Sequence, residues 1–299
     1  MKNQLEAARK IIAAREKVLL KRERLLPCIE MYKSTCKEIA KAGSDQVEID
    51  VMAHLTKILR GTYQVVLKQI AESGKTGINA TNAVKRSAGT NFQGLCEYAI
   101  IQWLKTTSLP FCVGPNAPKS MKDELTIFGM DADGGKFSVE PDIDISLWIE
   151  DGDPTSPVIF VSAKTSLVDR AGQAARWKMY LDMHQTTCTH TNDVHDCPIN
   201  RTQIKVKTRH PITHSIVTAN IYKIDTTQPE GELGNGQCRN NTYMFKHKYT
   251  TRCDSVENRP PSWRSFSEIT QLINDVYLNH INQSSGQPLL FSPLEPTDV

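Results

Sequence analysis

The 299-residue chain carries 36 Lys and Arg against 33 Asp and Glu, a formal charge of +3, with 39% hydrophobic and 23% charged residues. That composition belongs to a folded globular protein rather than a disordered chain, and the length suits one large domain or two ordinary ones. No apolar run approaches the roughly 18 residues of a membrane-spanning helix, and Met1 to Glu6 lacks the apolar stretch of a signal peptide, which predicts a cytoplasmic protein with no membrane partner.

Apolar residues at Leu5, Ala8, Ile12, Val18 and Leu19, and again at Val47, Val51, Leu55, Ile58 and Leu59, predict helices over the first 73 residues. Ser73 to Gly77 closes this region. A further helix is predicted from about Asn91, as its cap, to Thr107, with Leu95, Tyr98, Ile101 and Leu104 on one apolar side. Pro110 to Gly135 reads as loop with one short strand. Asp142 to Ile149 alternates strictly, Ile or Leu at odd positions and Asp, Asp, Ser and Trp at even ones, which reads as a strand. Glu150 to Pro154 makes a turn, and the apolar run Val158 to Lys164 reads as a central strand, so the two form a hairpin. A helix follows over Asp169 to Leu181, then a strand over Ser215 to Tyr222 and a helix carrying Phe266, Ile269, Ile273, Val276 and Tyr277. The organisation expected is a helical N-terminal region at 1–80, a core at 81–282 and a loose Ser/Pro-rich tail at 283–299.

The eight cysteines are scattered, and without a signal peptide they read as reduced thiols. Cys188, His190, His195 and Cys197 are four donors within ten residues that could hold Zn²⁺, with Cys238 and Cys253 as alternatives. Their spacing matches no common zinc finger, and an ordinary polar connection also accounts for them. Basic residues cluster over 1–24, over 201–214 (Arg201, Lys205, Lys207, Arg209, His210, His214) and from Lys246 to Arg252. Such clusters suit phosphates, although a solvated surface explains any one of them.

The chemistry concentrates in the hairpin. Period-2 geometry sets Asp142 and Asp144 on one face of the first strand, and Ser162 and Lys164 on one face of the second. Pairing the strands brings a carboxylate close to an ammonium. Carboxylate oxygen suits a hard cation such as Mg²⁺, and a lysine beside it can neutralise a phosphate or orient water. Taken singly, Asp142 is a solvent-facing strand residue and Lys164 a strand-end cation. The order, the 22-residue gap and the shared face together make the functional reading.

Glu140-Pro141-Asp142, followed by Val158 to Arg170 with the run Ser162-Ala163-Lys164-Thr165-Ser166-Leu167, resembles the PD-(D/E)XK nuclease superfamily and, within it, the type II restriction endonucleases. Asn91 to Glu97 is similar to the first core helix of that superfamily. The resemblance spans about residues 91–182. It implies an α/β (α+β) fold, a restriction-endonuclease-like core of a mixed central sheet flanked by helices, joined here to the helical N-terminal region. Pro141 and Asp142 match the PD pair, which makes Asp142 the principal Mg²⁺ ligand. Lys164 matches the motif lysine, and Ala163 takes the variable position, whose carbonyl can bind metal. Ser162 stands where an acid is expected. A subgroup that cuts CCGG-type sites also has Ser there and draws its carboxylate from the following helix, but this chain offers Gln173, Arg176, Trp177 and Lys178 and no acid before Asp182. Glu97 is then the first choice for the second carboxylate, with Asp144, Glu140 and Asp182 in reserve.

The activity implied is Mg²⁺-dependent hydrolysis of double-stranded DNA at a specific site, with Mn²⁺ able to substitute, leaving 5′-phosphate ends. The implied setting is a bacterial or archaeal cytoplasm and a homodimer working beside a cognate DNA methyltransferase. The apolar stripes of 1–73 are the expected dimer interface or DNA clamp, and residues 201–214 the expected phosphate contacts. The rival readings are a repair or recombination nuclease of the same superfamily, with Gln173 and Trp177 or Tyr180 in its later motif, and a non-catalytic DNA-binding protein.

Overall fold

The computed structural model describes residues 2–74, 77–115, 118–130, 134–140, 143–165, 171–185, 205–206, 208–219, 245–252 and 263–284. The predicted N-terminal helices are present as α1 (Lys2–Leu20), α2 (Leu26–Lys41), α3 (Val47–Asp50), α4 (Leu55–Gly61) and α5 (Tyr63–Glu72). Pro27 lies in the first turn of α2, where its missing N–H costs nothing. Gly43, at φ +92°, supplies the left-handed residue that ends the helix.

The central element is α6 (Gly77–Thr106), 30 residues and about 45 Å long. It begins well before the expected start. Asn91 is no cap: it lies inside the helix and its side-chain Nδ2 donates to the Arg24 carbonyl at 2.9 Å. The first half, rich in Gly, Ala, Ser and Asn, carries too weak an apolar period to read as helix. The second half buries Phe92, Leu95, Cys96, Ala99, Ile100 and Leu104, apolar nearly all round as a core helix must be. The boundary expected at residue 80 thus falls within the first turn of α6.

Pro110 to Gly135, expected as loop with one short strand, contains β1 (Phe111–Gly114), α7 (Lys119–Leu125) and β2 (Ile127–Met130), each too short for a periodic signal. The chain continues through β3 (Lys136–Val139), β4 (Ile145–Ile149), β5 (Val158–Lys164), α8 (Ala171–Gln185), β6 (Lys205–Val206), β7 (Ile212–Thr218), β8 (His247–Thr250), β9 (Arg264–Ser265) and α9 (Ile269–Ser284). A capping box between Ser265 and Glu268 starts the turn that leads into α9. Residues 285–299 of the expected tail lie outside the described residues.

A six-stranded sheet runs in the order β1-β4-β5-β7-β8-β9. The first three strands pair antiparallel, and β5, β7, β8 and β9 pair parallel. The predicted hairpin is therefore real, with Ile145 opposite Val161 and Leu147 opposite Ile159. A smaller antiparallel sheet has the order β3-β2-β6. The molecule is mixed α/β with a central mixed sheet flanked by helices.

Alternation along β5 divides the core. Ile159, Val161 and Ala163 join the N-terminal helices, α6 and α9, while Val158 and Phe160 face Trp148 and Leu181 on the other side. The stripes of the first 73 residues are spent in this core: Ile12, Leu19, Ile29, Val51, Leu55 and Ile58 pack with Phe92, Leu147 and Val217. Val18, from the same stripes, is exposed. No helix among the described residues is long and apolar enough to cross a membrane.

Candidate functional site

The residues of interest gather where β4 begins and β5 ends. Antiparallel register carries Asp144, one residue before β4, to the level of Ser162, on the face that Lys164 shares. Asp144 Oδ2 accepts the Ala163 backbone N–H at 2.8 Å and the Lys164 ammonium at 2.7 Å. The main-chain carbonyl of Asp144 accepts from Gln93 Nε2 on α6, which ties the strand entry to that helix. Burial raises the nearby Cys96 thiol well above its ordinary pKa, and the Asp144 charge adds to the effect.

The carboxylate partnered with Lys164 is Asp144, a reserve in the sequence reading, whereas Pro141 and Asp142 lie outside the described residues. The sequence pattern sets both acids on one strand face, so periodicity alone did not rank them. Glu97, the first choice for the second carboxylate, is held elsewhere. Its Oε1 accepts from Arg15 Nε and its Oε2 from an Arg15 terminal nitrogen at 2.8 Å, a bidentate buried pair. The Glu97 and Arg15 side chains are 0% and 14% exposed, against 16% and 4% for Asp144 and Lys164. Among the described residues no hydrogen bond or ion pair joins Glu97 to Asp144 or Lys164. Asp182 forms an ion pair with Lys178 along α8, and Glu140 is exposed at the end of β3.

Ser162 is fully buried and its hydroxyl meets His214 Nε2 at 3.0 Å. His214 lies edge-on to both Phe160 and Phe245. Burial drives its pKa down to about 3, with Lys178 and Lys164 pushing the same way, so the ring is neutral. His210 is buried too, its Nδ1 2.8 Å from the Ser156 carbonyl. These two histidines are core residues and not the phosphate contacts expected of them, whereas Arg209 is exposed. In the third basic cluster, burial lowers the His247 pKa to about 4 and also lowers that of Lys248.

Trp177 packs in a small apolar cluster with Ile127 and Val206, edge-on to Tyr180. Cys188, His190, His195, Cys197, Cys238, Cys253, Arg201 and Lys207 fall outside the described residues, and no group of three or more metal-ligating side chains occurs among the described ones.

Sequence reasoning missed the roles of Arg15 and Gln93, and it named His214 only as a basic residue rather than as the partner of Ser162. Arg15 lies 82 residues from Glu97, and nothing local signals that partnership. Gln93 and Glu97 do share a signal, an i,i+4 spacing on one face of α6. Against known proteins, no family model and no curated sequence matches the chain.

Proposed function

We propose that the chain is a Mg²⁺-dependent nuclease of the PD-(D/E)XK type that cuts double-stranded DNA at a specific site. One observation carries the reading. A carboxylate and a lysine meet at the shared end of an antiparallel strand pair, and the second strand pairs parallel with the next strand of its sheet. The sequence resemblance calls for a carboxylate of the first strand beside the motif lysine, and Asp144, two residues after the Asp142 it names, is the one that meets Lys164.

The donor set fits the metal. Mg²⁺ is a hard cation that takes one or two carboxylates and fills its remaining positions with water and substrate phosphate, and Asp144 and the Ala163 carbonyl offer oxygen ligands of that kind. When bound, the ion supplies Lewis-acid neutralisation of the charge that grows on the phosphate. The Ala163 N–H fixes the Asp144 carboxylate, and Gln93 fixes its backbone. Lys164 is buried beside that carboxylate, where its ammonium can hold a phosphate oxygen and orient the attacking water once substrate and metal are in place. Asp142 remains a candidate second carboxylate, Glu97 a support for the helix that carries Gln93, and Ser162 a support for the strand. The same reading expects a cytoplasmic enzyme, a homodimer on a two-fold site, a cognate DNA methyltransferase and Mn²⁺ as a working substitute.

Digestion of a supercoiled plasmid by the full chain is the test. Discrete fragments with ligatable 5′-phosphates are expected in Mg²⁺ or Mn²⁺. A smear would place the enzyme among nonspecific or repair nucleases, and intact DNA with both metals would contradict the proposal.

A further inference from the structure

A second basic feature lies outside this site. The turn between α1 and α2 and the first half of α6 enclose a cavity of about 440 Å³ bordered by Lys21, Arg22, Arg24 and Arg86, with Glu23 the carboxylate at its edge and Thr90 beside Arg86. Among the described residues none of the four cations is ion-paired to a carboxylate. The turn is clamped in place: Arg24 donates to the Ser87 hydroxyl at 3.2 Å, and Asn91 holds the Arg24 carbonyl. Arg22 is half-buried, and that burial and neighbouring Arg15 lower its pKa against an opposing pull from Glu97.

Position connects the cavity to the chemistry. Arg86, Thr90, Gln93 and Glu97 follow at spacings of four, three and four, one continuous stripe of α6. Its first two members border the cavity, and the third holds Asp144. Arg86 and Gln93 are seven residues apart, about 10 Å at the helical rise of about 1.5 Å per residue.

We infer that this cavity binds a non-scissile phosphodiester of the same nucleic acid whose scissile phosphate is presented to Lys164. The inference rests on the nuclease reading, since it takes the ligand to be the same duplex. The cavity anchors the backbone, and the stripe along α6 sets the register between anchor and reacting centre.

The test is binding of a fluorescein-labelled duplex to the full chain in Ca²⁺ across a salt series. Lys21→Gln combined with Arg86→Gln removes two exposed cations without opening the core. Each phosphate contact contributes about 0.9 to the slope of log K against log salt, so the double variant should lower the slope by about 1 to 2 and weaken binding. Lys33→Gln with Lys37→Gln, which removes the same charge from exposed positions on α2, should leave the slope at the wild-type value. If the wild type binds but both double variants keep its slope, the cavity inference fails and the nuclease reading stands. A wild type that binds no duplex at all overturns both. A calorimetric signal with inorganic phosphate that the variant loses, with duplex binding unaltered, also overturns the duplex as the ligand.

Discussion

Of the two acid–base pairs, one ties α6 to α1 and the other joins the start of β4 to the end of β5, and they differ in what surrounds them. Arg15 and Glu97 form a closed unit: both carboxylate oxygens are taken by one guanidinium and the acid is sealed from solvent. Asp144 and Lys164 form an open one at a strand end, where the carboxylate keeps some exposure and the chain bends away. A buried pair of the first kind contributes mainly by not being broken, because removing one partner strands a charge in a dry site. A pair of the second kind can exchange partners with an incoming cation or phosphate. Sequence position did not distinguish them, since both acids were candidates for one metal site. Burial and partner geometry did.

The largest effect expected from breaking this comparison is on chemistry. Lys164→Met and Asp144→Asn should each cut the rate of duplex cleavage by about 10² to 10⁴, the usual cost of losing a positioned catalytic group. Single-turnover cleavage measures it. Next comes stability. Arg15→Met leaves Glu97 charged and sealed, which should cost about 3–5 kcal/mol and lower the melting temperature by roughly 10 °C, as read by calorimetry. Lys164→Met leaves Asp144 its Ala163 N–H and partial solvent access, so it should cost only about 1.5–3 kcal/mol.

The smallest effect is a pH dependence behind the open pair. His214 has a folded pKa of about 3, pressed down by burial and by Lys178 and Lys164. Between its ordinary value of about 6.5 and that folded value, the unfolded chain binds a proton that the folded chain refuses. Stability is therefore full above about pH 6.5 and falls as pH drops, by about 2 kcal/mol near pH 5 from this residue. Urea unfolding should show that loss in the wild type and a smaller one in His214→Phe. His247 is shifted in the same direction, so some acid sensitivity should remain in the variant.

The hairpin was legible because strict alternation over β4 and an unbroken apolar run over β5 admit few other readings, and they located Lys164 within its strand. The first half of α6 was not, since Gly, Ser and Asn between Gly77 and Asn91 hide a helix that tertiary packing imposes. The elements between Phe111 and Val139 are of four to seven residues, below the length at which periodicity speaks. At the site, residue types were readable and partners were not. Arg15 meets Glu97 from 82 residues away and Ser162 meets His214 from 52, and only the folded chain records such distances.

Cleavage and thermal unfolding measured side by side on Lys164→Met and Arg15→Met test the central distinction most directly. Lys164→Met should stay folded with cleavage slowed by about 10² to 10⁴, while Arg15→Met melts early yet cuts duplex DNA at temperatures where it is folded. Wild-type cutting by Lys164→Met, or a folded Arg15→Met as inactive as Lys164→Met, would contradict it.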